Sequence, residues 1–434
     1  MAGIRLEAFK FATYLSLPIA LTAAVVMRED ILQAIIKSRA YVIYPPSDVT
    51  DDKIQTLLKE ERARNPRRKP AGGKRRCLVT GGSGFLGRHL AQQLLDSGAW
   101  EVTVFDIRAV EGEDRATYIV GDLRSAEEVA AAVAGMDCVF HVATAAPTAH
   151  NAHNRELMWA VNVEGTRNII DACMAQAVPR LVYTSSASVV FDGHDLHAVD
   201  EAQPYAARPL DYYTHTKIEG ERLILEANGK GGTLATVALR PSGIFGEFDT
   251  LMVPTTVRNA QKGKMKYIIG SGANQMDWTY AGNVAQAHLE AAAALTTPDC
   301  PLGGKAYFIT NDDPRPFWGM MGDICQGLGY DRPRIKLPFF LIYFIALIVQ
   351  YLVVPLLKLF GRDLQSDFTP FRITLAASNR TFSCAAARRD FGYQPQVSMD
   401  EALERTLKHF SHLHASKRPA AAGDKTLAPR KKRA

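Results

Sequence analysis

The chain of 434 residues divides by the spacing of its apolar positions. An uncharged run from Phe11 to Met27 (FATYLSLPIALTAAVVM) comes first, and a polar stretch with Pro45, Pro46, Pro66, Pro70 and Gly72-Gly73 follows over 45–73. From residue 74 the pattern changes to short continuous apolar runs separated by amphipathic stretches. Arg76–Thr80, Glu101–Phe105, Tyr118–Val120, Cys138–Val142 and Arg180–Tyr183 read as strands. Arg88–Leu95, Ala126–Ala134 and Glu156–Ala177 read as the helices between them. Strands apolar on both faces, alternating with helices, predict an α/β fold with a doubly wound parallel sheet.

The two long apolar runs lie outside that alternation. At about 1.5 Å per residue, Phe11–Met27 spans roughly 25 Å as a helix, slightly short of a bilayer core. Residues 1–44 are expected to form a membrane anchor or interfacial segment, with a cleaved signal or an organellar presequence as alternatives. Residues 45–73 read as a basic linker with one short helix near Asp51–Arg64. The second run, Leu337–Leu357 (LPFFLIYFIALIVQYLVVPLL), is flanked by Arg332, Arg334, Lys336, Lys358 and Arg362 and is long enough to span a bilayer. Apolar on every side, it fits lipid contact better than a buried core helix.

Charge narrows the function. The net charge is +6, yet residues 62–76 hold eight basic and no acidic side chains, and residues 417–434 hold seven basic and one acidic. Without those runs the chain carries a net −8, a poor surface for nucleic acid. Six scattered cysteines (Cys77, Cys138, Cys173, Cys300, Cys325, Cys384) form no CxxC pair and no His cluster. That excludes a disulfide framework and a zinc motif, and favours a reducing compartment.

Candidate chemistry lies at the ends of the predicted strands. Gly81-Gly82-Ser83-Gly84-Phe85-Leu86-Gly87 joins the first strand to a helix. Such a turn lets the backbone approach a pyrophosphate and points a helix N-terminus at it. Asp106 ends the next strand, where a carboxylate suits the ribose hydroxyls of NAD and repels the 2′-phosphate of NADP; Arg108 blurs that preference. Asp122 and Ser186 sit at two further strand ends. Tyr213 and Lys217 are four apart, so on a helix they share one face, where the ammonium stabilises a phenolate able to take a proton from an alcohol.

Four motifs in one order, Thr80-Gly-x-x-Gly-x-x-Gly87, Ser186, Tyr213-x-x-x-Lys217 and Leu239-Arg-Pro-Ser-Gly-Ile-Phe-Gly246, resemble the extended short-chain dehydrogenase/reductases over roughly residues 74–410. Lys262–Gly270, Asp277-Trp-Thr-Tyr280, Asn283–His288 and Tyr183–Phe191 resemble the 3β-hydroxysteroid dehydrogenase family, most nearly its decarboxylating sterol-4α-carboxylate 3-dehydrogenases. The resemblance implies an NAD-binding Rossmann core and part of a substrate lobe over 74–336, a membrane-inserting segment over 337–360, the rest of a smaller C-terminal substrate lobe over 361–415, and a disordered basic tail over 416–434. It implies Tyr213 as acid/base, Lys217 as its cationic partner and nicotinamide-ribose ligand, and Ser186 on the substrate oxygen. Gly81, Gly84, Phe85, Leu86, Gly87, Asp106, Asp122, Leu123 and Pro241 would hold the cofactor, NAD with NADP possible, and no metal. His215 and His288 receive no chemistry, and Asp277 and Tyr280 would line the pocket.

Further expectations concern location and partners. A sterol substrate, membrane lipid, the other enzymes of sterol C-4 demethylation and a second copy of the chain are the implied partners. The segment after residue 379 resembles the part of the family that packs on the Rossmann half. The apolar segment is therefore expected to be a helix or a Pro355-kinked hairpin that inserts and returns, leaving the sequon Asn379-Arg380-Thr381 unglycosylated. Lys431 and Lys432 match a cytosolic dilysine signal, which points to the endoplasmic reticulum with the body in the cytosol; lipid droplet and mitochondrion are the alternatives.

Overall fold

A computed structural model describes residues 73–108, 114–147, 154–359 and 368–417. The apolar run at the N-terminus, the linker and the basic tail lie outside the described residues.

In chain order the first half contains β1 (Arg75–Thr80), α1 (Phe85–Asp96), β2 (Trp100–Asp106), β3 (Thr117–Val120), α2 (Ala126–Val133), β4 (Cys138–His141), α3 (Arg155–Trp159), α4 (Gly165–Ala175) and β5 (Arg180–Thr184). Then come β6 (Leu196–Val199), α5 (Tyr212–Glu226), β7 (Ala235–Pro241), β8 (Ile244–Phe245), α6 (Met252–Gln261), β9 (Tyr267–Ile269), β10 (Gln275–Met276), β11 (Thr279–Tyr280), α7 (Ala281–Ala294) and β12 (Lys305–Ile309). The rest comprises β13 (Arg315–Pro316), α8 (Phe317–Gly327), β14 (Ile335–Leu337), α9 (Phe339–Ile348), α10 (Val354–Leu359), α11 (Pro370–Ala377), β15 (Arg380–Phe382), α12 (Ala385–Phe391) and α13 (Met399–His409).

Seven strands form one sheet in the order β12-β7-β5-β4-β1-β2-β3, all paired in parallel. Buried valines, leucines and alanines fill both of its faces, with α1 and α7 on one side and α2 and α4 on the other. This is the doubly wound sheet expected from the apolar runs. The strand order reverses between β1 and β4, which opens the crevice where such sheets take ligands. A second, smaller sheet in the order β13-β10-β15-β6 draws its strands from residues 196 to 382 and forms the frame of the other lobe.

Two helical expectations are corrected. The helix expected over Glu156–Ala177 is interrupted by a π turn at Ala160–Glu164, which joins α3 to α4 and turns Asn162 inward, where it is buried. The apolar run begins as a strand, β14, paired in parallel with β9, and only then becomes a helix. That helix runs on through Pro355 and does not fold back there, so the hairpin alternative fails over the described residues. A π turn at Val349–Val353 precedes the proline, whose ring cannot donate and crowds the carbonyl of Tyr351 four residues back.

The helix is no core element. Only Ile342 and Ala346 of its described residues are buried, against Ile373 of α11, with Phe339 and Tyr343 half-buried beside them. Phe340 is 84% exposed, and Leu341, Phe344, Ile345, Ile348, Tyr351, Leu352 and Leu356 are exposed beside it. Residues on both sides of it nonetheless build one body: β15 sits between β10 and β6, and α13 packs Met399 and Ala402 into the core that holds Met276 and Trp278.

Candidate active site

The turn between β1 and α1 closes around glycine. Gly81 has φ +70°, and a Cβ there would meet Ala143 Cα at 2.7 Å. At Gly87 a Cβ would stand 2.1 Å from the Gly81 carbonyl oxygen, so helix and turn touch backbone to backbone. The first helical hydrogen bond runs from Arg88 N to Gly84 O, at 3.1 Å. The N–H groups of Phe85, Leu86 and Gly87 are thus left at the helix N-terminus, as an anion requires. Asp106, at the end of β2, accepts from Ser83 N at 3.1 Å and from Arg108 N at 3.2 Å. Ser83 Oγ in turn donates to Arg108 O at 2.7 Å. The carboxylate therefore stands directly beside the glycine turn, where the ribose next to a bound pyrophosphate would lie. These residues fit a dinucleotide.

Other predicted cofactor residues are arranged differently. Asp122 follows β3, and its carboxylate is held by the Arg124 guanidinium, at 2.9 Å from Nε, which keeps its pKa below the ordinary value. Its backbone N–H donates to Glu128 Oε2 at 2.8 Å. Leu123 is buried, with its carbonyl bound by Asn168 Nδ2 at 2.8 Å. Pro241 ends β7 beside β5.

Helix α5 starts at Asp211, whose carboxylate caps Thr214 N at 2.7 Å. Tyr213 in the first turn is followed on the same face by Lys217 and then Glu221. Lys217 is 2% exposed, donates to the Thr184 carbonyl at 2.6 Å, and lies 4.4 Å from the centre of the Tyr183 ring. Burial pulls its pKa down to about 7, against the pull of the Glu221 carboxylate. Burial pushes the Tyr213 phenol up to about 12; the Asp211 carboxylate adds to the rise and a hydrogen bond with Thr144 opposes it. Glu221 itself is locked to Arg240 at 2.6 Å, both side chains buried, and accepts from Tyr205 OH at 2.7 Å. Ser186 stands just past β5. Its Oγ accepts from Ser188 N at 3.2 Å, capping the 3₁₀ turn Ala187–Val190, and its own hydroxyl proton remains available.

The sequence model of the 3-beta hydroxysteroid dehydrogenase/isomerase family matches residues 78–339, more than half of the chain. The chain belongs to that family. Within the family it is 43% identical to the decarboxylating sterol-4-alpha-carboxylate 3-dehydrogenase of Mus musculus, over 79% of this chain and 93% of the relative. It is 42% identical to a 3beta-hydroxysteroid-dehydrogenase/decarboxylase of Arabidopsis thaliana, over 82% and 84%. The yeast Saccharomyces cerevisiae sterol-4-alpha-carboxylate 3-dehydrogenase is 36% identical over 76% and 96%. Among solved structures, the fold is shared with a Thermotoga maritima UDP-glucose 4-epimerase (TM-score 0.59, 18% identity, covering 77% of this chain and 98% of that one). It is shared equally with a Streptomyces venezuelae dTDP-glucose 4,6-dehydratase solved with NAD (TM-score 0.60, 22% identity, 77% and 96%).

In this member of the 3-beta hydroxysteroid dehydrogenase/isomerase family, a polar network ties the site together that sequence reasoning did not single out. Asn162, turned inward by the π turn, accepts from Ala145 N at 2.7 Å and from Thr144 Oγ1 at 3.0 Å, and donates to Thr216 Oγ1 at 2.9 Å. It joins the loop after β4 to the helix that bears Tyr213. A buried asparagine in an otherwise apolar helical stretch, Val161-Asn162-Val163, was the available signal. His288 donates from Nδ1 to the Val284 carbonyl and accepts from Thr184 Oγ1 through Nε2, each at 2.7 Å, so it supports the strand end that holds Lys217. His215 lies against Trp159 and Tyr212, its ring tilted to both. Asp277 accepts from Phe382 N at 2.7 Å and, pushed up by burial to about 7, fastens β15. Tyr280 donates to Glu247 at 2.9 Å.

Proposed function

We propose that the chain oxidises the 3β-hydroxyl of a 4α-carboxysterol to the ketone, with loss of the carboxylate as carbon dioxide, using NAD. The observation that carries this reading is the identity of 43% across nearly the whole length of a relative named for that reaction. Gly81, Gly84 and Gly87, with the N–H groups of Phe85 and Leu86, would hold the pyrophosphate. Asp106 would take the adenosine ribose and disfavour a 2′-phosphate, and Leu123 and Pro241 would border the rings. When bound, the oxidised nicotinamide supplies the hydride acceptor and a positive charge beside the phenol.

Tyr213 is the base that takes the alcohol proton, and Ser186 donates to the same oxygen. With a pKa of about 12 the phenol stays protonated at neutral pH, so cationic charge must collect around it to make the phenolate available. Lys217, with a pKa of about 7, is the group that supplies it reversibly. The oxidised product is a β-keto acid. As the bond from C4 to the carboxylate breaks, its electrons pass into the C3 ketone and leave an enolate that takes a proton at C4. Ser186 and the now protonated Tyr213 face the enolate oxygen.

The exposed face of α9 and α10 would lie in lipid, with both neighbouring segments held on one side by the common body. With a sterol as substrate, this favours the cytosolic face of the endoplasmic reticulum, beside the other enzymes of sterol C-4 demethylation. Incubating the purified protein with NAD and a sterol labelled in its 4α-carboxylate tests the reaction. Reduced cofactor and labelled carbon dioxide in equal amounts are expected. Reduced cofactor without carbon dioxide, accompanied by a shifted double bond, would replace this reading with a dehydrogenase/isomerase.

A further inference from the structure

Arg380 is a half-buried cation with no counter-ion among the described residues. It stands in β15, the strand between β10 and β6, paired with Met276 on one side and Leu196 on the other. Its Nη2 donates to the Leu375 carbonyl at 2.8 Å and contacts Met276 Sδ at 3.1 Å. Its Cζ lies 5.5 Å from the centre of the Phe191 ring. The Nε–H is sealed from solvent with no acceptor. Nη1 has no acceptor among the described residues, and unlike Nε it is not sealed. No carboxylate among the described residues pairs with this guanidinium, and burial alone lowers its pKa, to about 10.

Arg240 shows what the same fold does with a buried guanidinium that is structural: Glu221 neutralises it at 2.6 Å. A guanidinium largely withdrawn from water without a counter-charge is unfavourable, unless an anion arrives from outside the chain.

The surroundings place Arg380 beside the reacting end of the sheet. Phe191 closes the 3₁₀ turn that Ser186 caps. Met276 packs on Gly243, where a Cβ would meet its Cε at 2.6 Å, in the turn directly after Pro241. The guanidinium thus bridges the loops that follow β5 and β7, the strands whose ends carry Ser186 and Pro241. A sterol with its C3 oxygen at Ser186 and Tyr213 carries its acid on the adjacent carbon.

Resting on the function proposed above, we propose that Arg380 receives the C4 carboxylate of the substrate through Nη1. The guanidinium selects and orients the acid for oxidation at C3. It is a specificity residue and not the agent of decarboxylation, since electrons leave the carboxylate in that step and a retained ion pair would oppose it.

The test compares Arg380→Met and Arg380→Lys with the wild type on two sterols alike except for the 4α-carboxylate. The neutral sterol is followed as substrate or, where it is not oxidised, as competitive inhibitor, and NAD binding by fluorescence quenching serves as the fold control. Arg380→Met is expected to lower kcat/KM for the acid about 10²–10³-fold, mostly through KM, as loss of one partner of a buried charge pair does. Its constants for the neutral sterol and for NAD should change less than about 3-fold, and Arg380→Lys should recover part of the loss. Equal losses on both sterols, or none on either, would overturn the proposal and assign Arg380 to the packing of β15. A wild type inert toward the acid yet active on the neutral sterol would instead sink the functional reading, and the carboxylate site with it.

Discussion

Lys217 donates to the backbone carbonyl of Thr184 at 2.6 Å, pinning the middle of α5 to the end of β5. The same strand end continues into Ser186, so one hydrogen bond fixes the acid–base helix relative to the serine loop. His288 holds Thr184 from below through its hydroxyl. The three side chains proposed for catalysis are therefore positioned by the carboxyl end of an interior strand of the parallel sheet, although two of them come from a helix.

Replacing Tyr213 by Phe removes only the phenolic oxygen. Turnover should fall by about 10³-fold, within the range for loss of a general base, while NAD binding stays within a factor of two or three. Steady-state rates and cofactor titration on the same preparation check both halves.

Gly87→Ala should abolish cofactor binding with little change in global stability. The added Cβ meets the Gly81 carbonyl oxygen at 2.1 Å, so the turn must open and lose its pyrophosphate geometry. A loss of at least about 100-fold in NAD affinity by calorimetry is expected. Unchanged affinity would show that the turn is not the cofactor cradle.

Glu221→Gln strands Arg240 in the core without its counter-charge. The expected cost is roughly 3–5 kcal/mol of stability, read from urea midpoints. Because Glu221 also raises the pKa of Lys217, the alkaline limb set by loss of the Lys217 cation should move to lower pH in any variant that remains folded.

Buried neutral histidines should make the fold acid-labile. Burial lowers His141 to about 3 and His288 to about 4, against 6.5 in an unfolded chain. Below pH 6.5 the unfolded chain takes up protons that the folded one refuses. The stability contributed is complete above pH 6.5 and is lost progressively as the pH falls toward 4. Between pH 7 and pH 5 each histidine should remove roughly 2 kcal/mol, and His141→Asn should flatten the loss.

Asn379 should carry no glycan, despite its sequon. Its side chain accepts from Gln275 N and donates to Asp195 Oδ2, both at 2.8 Å, in the seam between β10 and β6. A glycosidase-sensitive shift in mobility of the protein expressed in eukaryotic cells would contradict both this packing and a cytosolic body.

Much of this was legible in the chain because it is written locally. A strand, a glycine turn and a helix succeed one another within a few residues, and the spacing of Tyr213 and Lys217 is itself a helical turn. What escaped depends on contacts over long separations. The π turn at Ala160–Glu164 follows from Asn162 reaching Thr216 across 54 residues, which no periodicity records. The smaller sheet pairs Arg380 with Leu196 through strands too short for a pattern of their own. Arg380 read as the spacer of a glycosylation sequon because sequence shows a charge but not the absence of its counter-charge. Pro355 suggested a hairpin, whereas the π turn before it lets the helix continue.

The position of β15 also sets an order of events during synthesis. Its strand lies inside the smaller sheet, between β10 and β6, so that sheet has a gap until residues 380–382 have left the ribosome. By then the apolar helix of residues 339–359 has already emerged. A nascent chain therefore exposes its most lipid-like segment while the lobe beside it is still open. Whatever meets that helix first, bilayer or chaperone, does so before the enzyme is finished, and the segment from residue 380 onward closes the fold around a choice already made.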